Sequence, residues 1–182
     1  MIKKAVTFGR YFYFNIGHLS TVQAILKEFD LLVIGLVNPD RENPEDIQKL
    51  REKYIDFYEN VDKKVLELPL TFEERKLMIE KALRNAKIEN VILTEVRRVE
   101  YFPSIFNERF RPDEYQLVFP ELNSSFDIRR NEVFEDILKR KIHLVKPELE
   151  SHSSDAKNKF DNMVYMDDEI MEIYKRYGVI EG

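Results

Sequence analysis

Three segments at the start of the chain restrict what it can fold into. Lys4–Phe8 is a short apolar run that ends at Gly9, and Leu31–Val37 is a continuous apolar run of strand length closed by Asn38-Pro39-Asp40. Between them Leu19, Val22, Ile25, Leu26 and Phe29 recur at the spacing of one helix face, which predicts a helix over Gly17–Glu28. Strand, helix and strand in so short a span make a βαβ unit, with parallel strands and a right-handed crossover.

The alternation continues. Thr71-Phe72-Glu73-Glu74 is a capping box, in which Thr71 bonds the Glu74 amide and Glu74 reaches back. Met78, Ile79, Ala82 and Leu83 then form an apolar stripe. Val91–Thr94, Gln116–Phe119 and Ile142–Val145 are further candidate strands, and Val133, Phe134, Ile137 and Leu138 mark a helix between the last two. Asp167–Tyr177 reads as a terminal helix with Ile170, Ile173, Tyr174 and Tyr177 on one face and Gly178 at its C-cap. Asn43–Asp62 is polar with a helical centre and reads as a rim insertion spanning about residues 40–66. No repeat, linker or low-complexity tract divides the chain, so residues 1–182 are expected to form a single domain. The pattern predicts an α/β fold with a mostly parallel sheet and helices on both faces, and ligands at the carboxyl ends of the strands.

At 182 residues and 43% hydrophobic composition the chain can bury one substantial core. Its formal net charge of -5 argues against a general nucleic-acid binder, which needs a basic face. The absence of Cys excludes disulfides, thiolate metal sites and a Cys nucleophile. No apolar run approaches membrane-spanning length and Met1-Ile2-Lys3-Lys4 leads into a strand, so the expected location is the cytoplasm. His18, His143 and His152 lack metal-ligand spacing, and no protein-held metal is expected. Arg97-Arg98, Arg109 with Arg111, and Arg129-Arg130 read as solvated faces or surface ion pairs in preference to phosphate-binding walls.

Chemistry concentrates in Thr7-Phe8-Gly9-Arg10-Tyr11-Phe12-Tyr13-Phe14-Asn15-Ile16-Gly17-His18-Leu19, which joins the first strand to the first helix. The first turn of a helix has unpartnered amides and the positive end of a dipole, which together favour a phosphate. Gly9 and Gly17 lack a Cβ, so phosphate oxygens can approach the backbone closely. His18 lies in that turn and can donate to a phosphate oxygen. The same residues also suit a plain tight turn at Gly9 and an ordinary helix start. The aromatic run Tyr11–Phe14 can cover a nucleotide or pack on the sheet.

This stretch resembles the signature of archaeal-type nicotinamide mononucleotide (NMN) adenylyltransferases, members of the HxGH nucleotidyltransferases. Gly9, Arg10, Phe14, Gly17, His18 and Leu19 match it in register. Leu68 to Ile79 is similar to a second family block, and Asp168 to Val179 to its terminal helix. The resemblance implies a Rossmann-like nucleotidyltransferase fold. It also implies direct adenylyl transfer, in which a phosphate of the acceptor attacks the α-phosphorus of ATP, pyrophosphate leaves and no covalent enzyme intermediate forms. ATP with Mg²⁺ is the implied substrate complex, with a small phosphorylated acceptor and a possible homo-oligomer. Phe8, Gly9, Arg10, Gly17 and His18 would line the nucleotide.

The match has gaps. Asn15 stands where the family has its first His, and Asn carries no positive charge. Ser151 to Lys157 is the best candidate for the second phosphate motif; Ser153 and Ser154 would meet the nucleotide and Lys157 would replace an Arg, or the segment is a plain polar loop. His18, Asn15 and Lys157 are thus the candidate catalytic residues. The acceptor side has no Trp; Tyr101, Phe102 or Phe106 would stack on a base. These departures leave a second reading open, a non-catalytic nucleotide-binding relative used for sensing or assembly.

Overall fold

The computed structural model describes residues 1–38, 47–64, 70–149 and 162–180. Among them five strands, β1 (Lys4–Gly9), β2 (Leu31–Val37), β3 (Val91–Val96), β4 (Tyr115–Pro120) and β5 (His143–Val145), form one sheet in the order β3-β2-β1-β4-β5. Every pairing is parallel. Seven helices accompany them: α1 (Ile16–Glu28), α2 (Ile47–Lys53), α3 (Ile55–Lys64), α4 (Phe72–Asn85), α5 (Pro103–Arg109), α6 (Ser125–Leu138) and α7 (Asp168–Arg176). The α/β architecture with helices on both faces is the one the sequence pattern predicts.

Alternation along β1 sorts the core into two layers. Ala5 joins Val22 and Ile25 of α1 and Ile79, Ala82 and Leu83 of α4 on one face. Val6 and Phe8 join Phe106 of α5 and Phe134 and Leu138 of α6 on the other. Full burial of each such side chain contributes about 1.5–3 kcal/mol, so both faces are driven to be covered. Gly35 of β2 answers a packing need, because a Cβ there would lie 2.8 Å from the Val96 side chain.

The segment predicted as a polar rim insertion holds α2 and α3, and α3 is docked. Tyr54, Phe57 and Tyr58 are buried with Tyr101 and with Val133 of α6. Arg129 of α6 reaches Asp56 at 2.8 Å, and Asp136 accepts from the Tyr54 hydroxyl. Phe57 and Tyr58 of α3, with Tyr54 just before it, give the segment an apolar face that its overall polarity conceals. Residues 39–46 and 65–69 lie outside the described residues.

Helix α7 packs as its sequence face predicts, burying Ile170, Ile173 and Tyr174 against Tyr13, Leu70 and Met78. It begins at an Asp167 cap and ends before Gly178, whose φ of 69° is the left-handed geometry that favours glycine. Lys81 of α4 ties its start, contacting Asp167 at 2.7 Å and Glu169 at 2.5 Å. The reciprocal Thr71–Glu74 capping box opens α4 as predicted.

Candidate functional site

Strand order reverses between β1 and β4: the chain runs outward one way through β2 and β3 and the other way to β5. Open α/β sheets bind ligands at such a switch point, beyond the carboxyl ends of the strands. Here the two strands also part. β1 pairs with β2 from Lys4 to Gly9, but with β4 only from Lys4 to Val6. The loop from β1 to α1 and helix α6 border the place where this pairing stops, with Tyr11 of the loop close enough to Arg130 of α6 to feel its charge.

The loop is fixed from several sides. Arg75 of α4 is wholly buried, and its guanidinium donates to the Arg10 and Val37 carbonyls at 2.8 Å each and to Asn38 Oδ1 at 2.7 Å. The Phe12 carbonyl accepts from the Tyr174 hydroxyl at 2.6 Å, and Tyr13 stacks on the Tyr174 ring at 5.4 Å. The strip before α7 closes the end of the loop, with Val164 N donating to the Phe14 carbonyl and Ile16 N to that of Asn162.

The start of α1 differs from the bare anion site expected of it. Asn15 is the N-cap. Its Oδ1 accepts from His18 N at 3.0 Å, and its own amide donates to His18 Nδ1 at 3.2 Å. Leu19 N bonds the Asn15 carbonyl and Ile16 N that of Asn162. The protein's own atoms thus engage the amides that a phosphate would need. Asn15 accepts here instead of donating toward a reacting phosphate, because a carboxamide oxygen beside a helix start meets the third amide of the first turn. His18 plays the part that Glu or Gln plays in the usual capping box.

His18 is correspondingly perturbed. Its ring stacks on Phe14 at 5.8 Å and meets Tyr11 edge-on at 5.1 Å. Burial pulls its pKa down to about 4, against a smaller opposing effect of the Tyr13 carbonyl. The imidazole is neutral at pH 7, and with Nδ1 accepting, its proton sits on Nε2.

Tyr11 closes the arrangement. Its φ is 51°, and its ring lies so close over Gly9 that a Cβ there would fall 2.9 Å from Tyr11 Cε2. The missing Cβ at Gly9 accommodates this ring, where sequence reasoning assigned the space to phosphate oxygens. The hydroxyl bonds the Thr7 side chain, and burial pushes its pKa up to about 12 despite that bond and the nearby charge of Arg130. Arg130 of α6 pairs with Asp127 at 3.1 Å and lies over the Phe119 ring.

Gly9, Arg10, Gly17 and His18 lie on or beside the loop that joins β1 to α1, and the Tyr11 ring touches both Gly9 and His18. Phe8 does not join them: its ring points into the opposite layer, edge-on to Phe106, Phe119 and Phe134 at 5.0–5.3 Å. Tyr101 and Phe106, candidates for base stacking, are buried in aromatic clusters and offer no open face. Phe102 is partly buried, with Arg97 stacked over its ring at 3.7 Å. His143 contacts Glu28 at 2.6 Å, far along the sheet edge in β5. Ser153, Ser154, Lys157 and His152 lie outside the described residues. Thr7 and Arg75 were not singled out as candidates, Tyr11 was weighed only as part of the Tyr11–Phe14 run and Arg130 only as a surface pair with Arg129. The signal for Arg75 was its place one residue after the capping box. Arg130 shares a pattern with any surface pair, so only the topology reveals it.

Among the described residues no cluster of three or more His, Asp or Glu could hold a metal ion. No helix among them is long and apolar enough to cross a membrane.

No family model matches the chain, and no curated protein sequence does. Solved structures do match. A bifunctional NMN adenylyltransferase/ADP ribose pyrophosphatase from Francisella tularensis, complexed with AMP and a Mn ion, superposes with a TM-score of 0.58 at 16% identity. A second structure of the bifunctional enzyme gives 0.59, also at 16% identity. Both matches cover 96% of this chain and 50% of the other, so the chain spans about half the length of these neighbours. The chain therefore has a Rossmann-like α/β fold similar to that of NMN adenylyltransferase structures.

Proposed function

We propose that this chain is a nucleotidyltransferase-like protein that binds ATP in the crevice between β1 and β4 and transfers its adenylyl group to NMN or another small phosphorylated acceptor, releasing pyrophosphate. The observation that carries the reading is positional. The Gly9-to-Leu19 stretch, which resembles the nucleotidyltransferase signature, lies at the topological switch point of the sheet. Gly9 and Arg10 would lie beside the nucleotide and His18 near the phosphates, with Arg130 supplying a cation from the other bank. Ser153, Ser154 and Lys157 would complete the phosphate contacts.

Transfer of this kind needs no enzyme nucleophile. The protein's work is to hold two polyanions in line and offset the charge of the transition state. His18 would donate a neutral imidazole N–H to a phosphate oxygen by exchanging it from the Tyr13 carbonyl, while Asn15 contributes no positive charge. Losing one charge-stabilising donor costs on the order of 3 kcal/mol, or about a hundredfold in rate, so slow turnover is expected. Mg²⁺ would travel with the triphosphate.

The test is incubation of pure protein with ATP, Mg²⁺ and NMN, then with other phosphorylated acceptors, with detection of the dinucleotide product and pyrophosphate. Product that disappears in His18→Ala supports the reading. No product above that control across the panel would overturn catalysis.

A further inference from the structure

Tyr11 holds a backbone conformation that L-residues rarely adopt and that persists only where contacts enforce it. We propose that Tyr11 is an internal occupant of the nucleotide crevice, covering Gly9 where a phosphate would approach, and that nucleotide binding requires its ring to swing out. The inference rests on the nucleotide reading above and names how that site is regulated.

One side chain engages each feature a phosphate would use. The ring covers the Cα of Gly9, with Tyr11 Cε2 and Cδ2 at 2.9 and 3.3 Å from the position of a Cβ. Its edge meets the His18 ring. Its hydroxyl is held by Thr7, which is buried, and faces Arg130. Ring and phosphate cannot share the space over Gly9. The flanking backbone is pinned, at the Arg10 carbonyl by Arg75 and at the Phe12 carbonyl by Tyr174. Opening is therefore confined to the Tyr11 side chain, which swings about its Cα–Cβ bond while the pinned backbone stays. The closed form lowers the apparent affinity by the fraction of molecules that are open.

Calorimetric titration of the full chain with ATP, ADP and AMP tests this, comparing wild type with Tyr11→Ala, Tyr11→Phe and Thr7→Val. Tyr11→Ala is expected to bind ATP at least about tenfold more tightly than wild type, the opposite of what loss of a ligand contact does. Tyr11→Phe and Thr7→Val each break the same hydroxyl bond. Each is expected to tighten binding by a smaller factor, and the double variant by no more than either alone. If Tyr11→Ala fails to fold, those two variants carry the test. Unchanged or weaker ATP binding in the folded variants, with wild type still binding, overturns the plug and leaves the nucleotide reading standing. No binding of any of the three nucleotides by wild type or variants overturns both.

Discussion

His18→Gln separates the two things this histidine does. Gln at the third position of a helix can keep the reciprocal cap with Asn15, since Gln serves in that place in capping boxes. It cannot titrate. In the folded protein His18 has its pKa pulled from 6.5 to about 4, so between those values the unfolded chain binds the proton and the folded one does not. Stability is then fully present above pH 6.5, falls as pH drops toward 4, and levels off below, where both states are protonated. The linkage gives a loss of about 1.4 kcal/mol by pH 5.5 and about 2.5 kcal/mol by pH 4.5, relative to pH 7.5. Urea denaturation of wild type and His18→Gln at these three pH values reads the effect, and the difference between the two proteins cancels the carboxylates they share. At pH 7.5 they are expected to agree within about 1 kcal/mol. At pH 4.5 the variant is expected to have gained about 2.5 kcal/mol on wild type. A difference that does not change with pH would show that His18 is not buried as described, and the account of α1's start would fail with it.

Three substitutions probe the frame around the crevice. Arg75→Met leaves the Arg10 and Val37 carbonyls without their donor and is expected to lower stability by about 3 kcal/mol in urea titration. Tyr174→Phe removes one bond to the Phe12 carbonyl and is expected to cost about 1 kcal/mol, with circular dichroism at 25 °C unchanged. Gly35→Ala forces a methyl against Val96 and is expected to cost about 1–3 kcal/mol by the same titration.

Much of the fold was legible because its signals are local. The run of apolar residues at Leu31–Val37, the Thr71 capping box and the face of α7 each announce themselves within a few residues, and the structure holds all three. Helix α5 escaped because Tyr101 to Phe106 is as aromatic as a stacking surface, and only the packing of Tyr101 with Val133 of α6 and of Phe106 with Phe8 of β1 shows those two rings to be core. The loop from β1 to α1 was legible as a candidate site, but its internal contacts were not. Gly9, Gly17 and His18 mark the corner, yet nothing in their spacing tells that Asn15 and His18 satisfy each other or that Tyr11 turns back over Gly9. Those are choices between an internal partner and an external one, and both use the same donors. Arg75 and Arg130 depend on contacts between α4, α6 and a loop distant in sequence, which no window of neighbouring residues contains.

ATP is expected to enter between β1 and β4. The direct measurement is the amide chemical-shift map of the ¹⁵N-labelled chain titrated with ATP and Mg²⁺. The expected result is a saturable shift centred on Gly9, Arg10, Tyr11, Gly17 and His18, with a second group near Asp127 and Arg130. Shifts confined to another surface, such as the groove between α4 and β3 lined by Leu83, Lys87 and Ile88, or no shifts at saturating ATP, would contradict it.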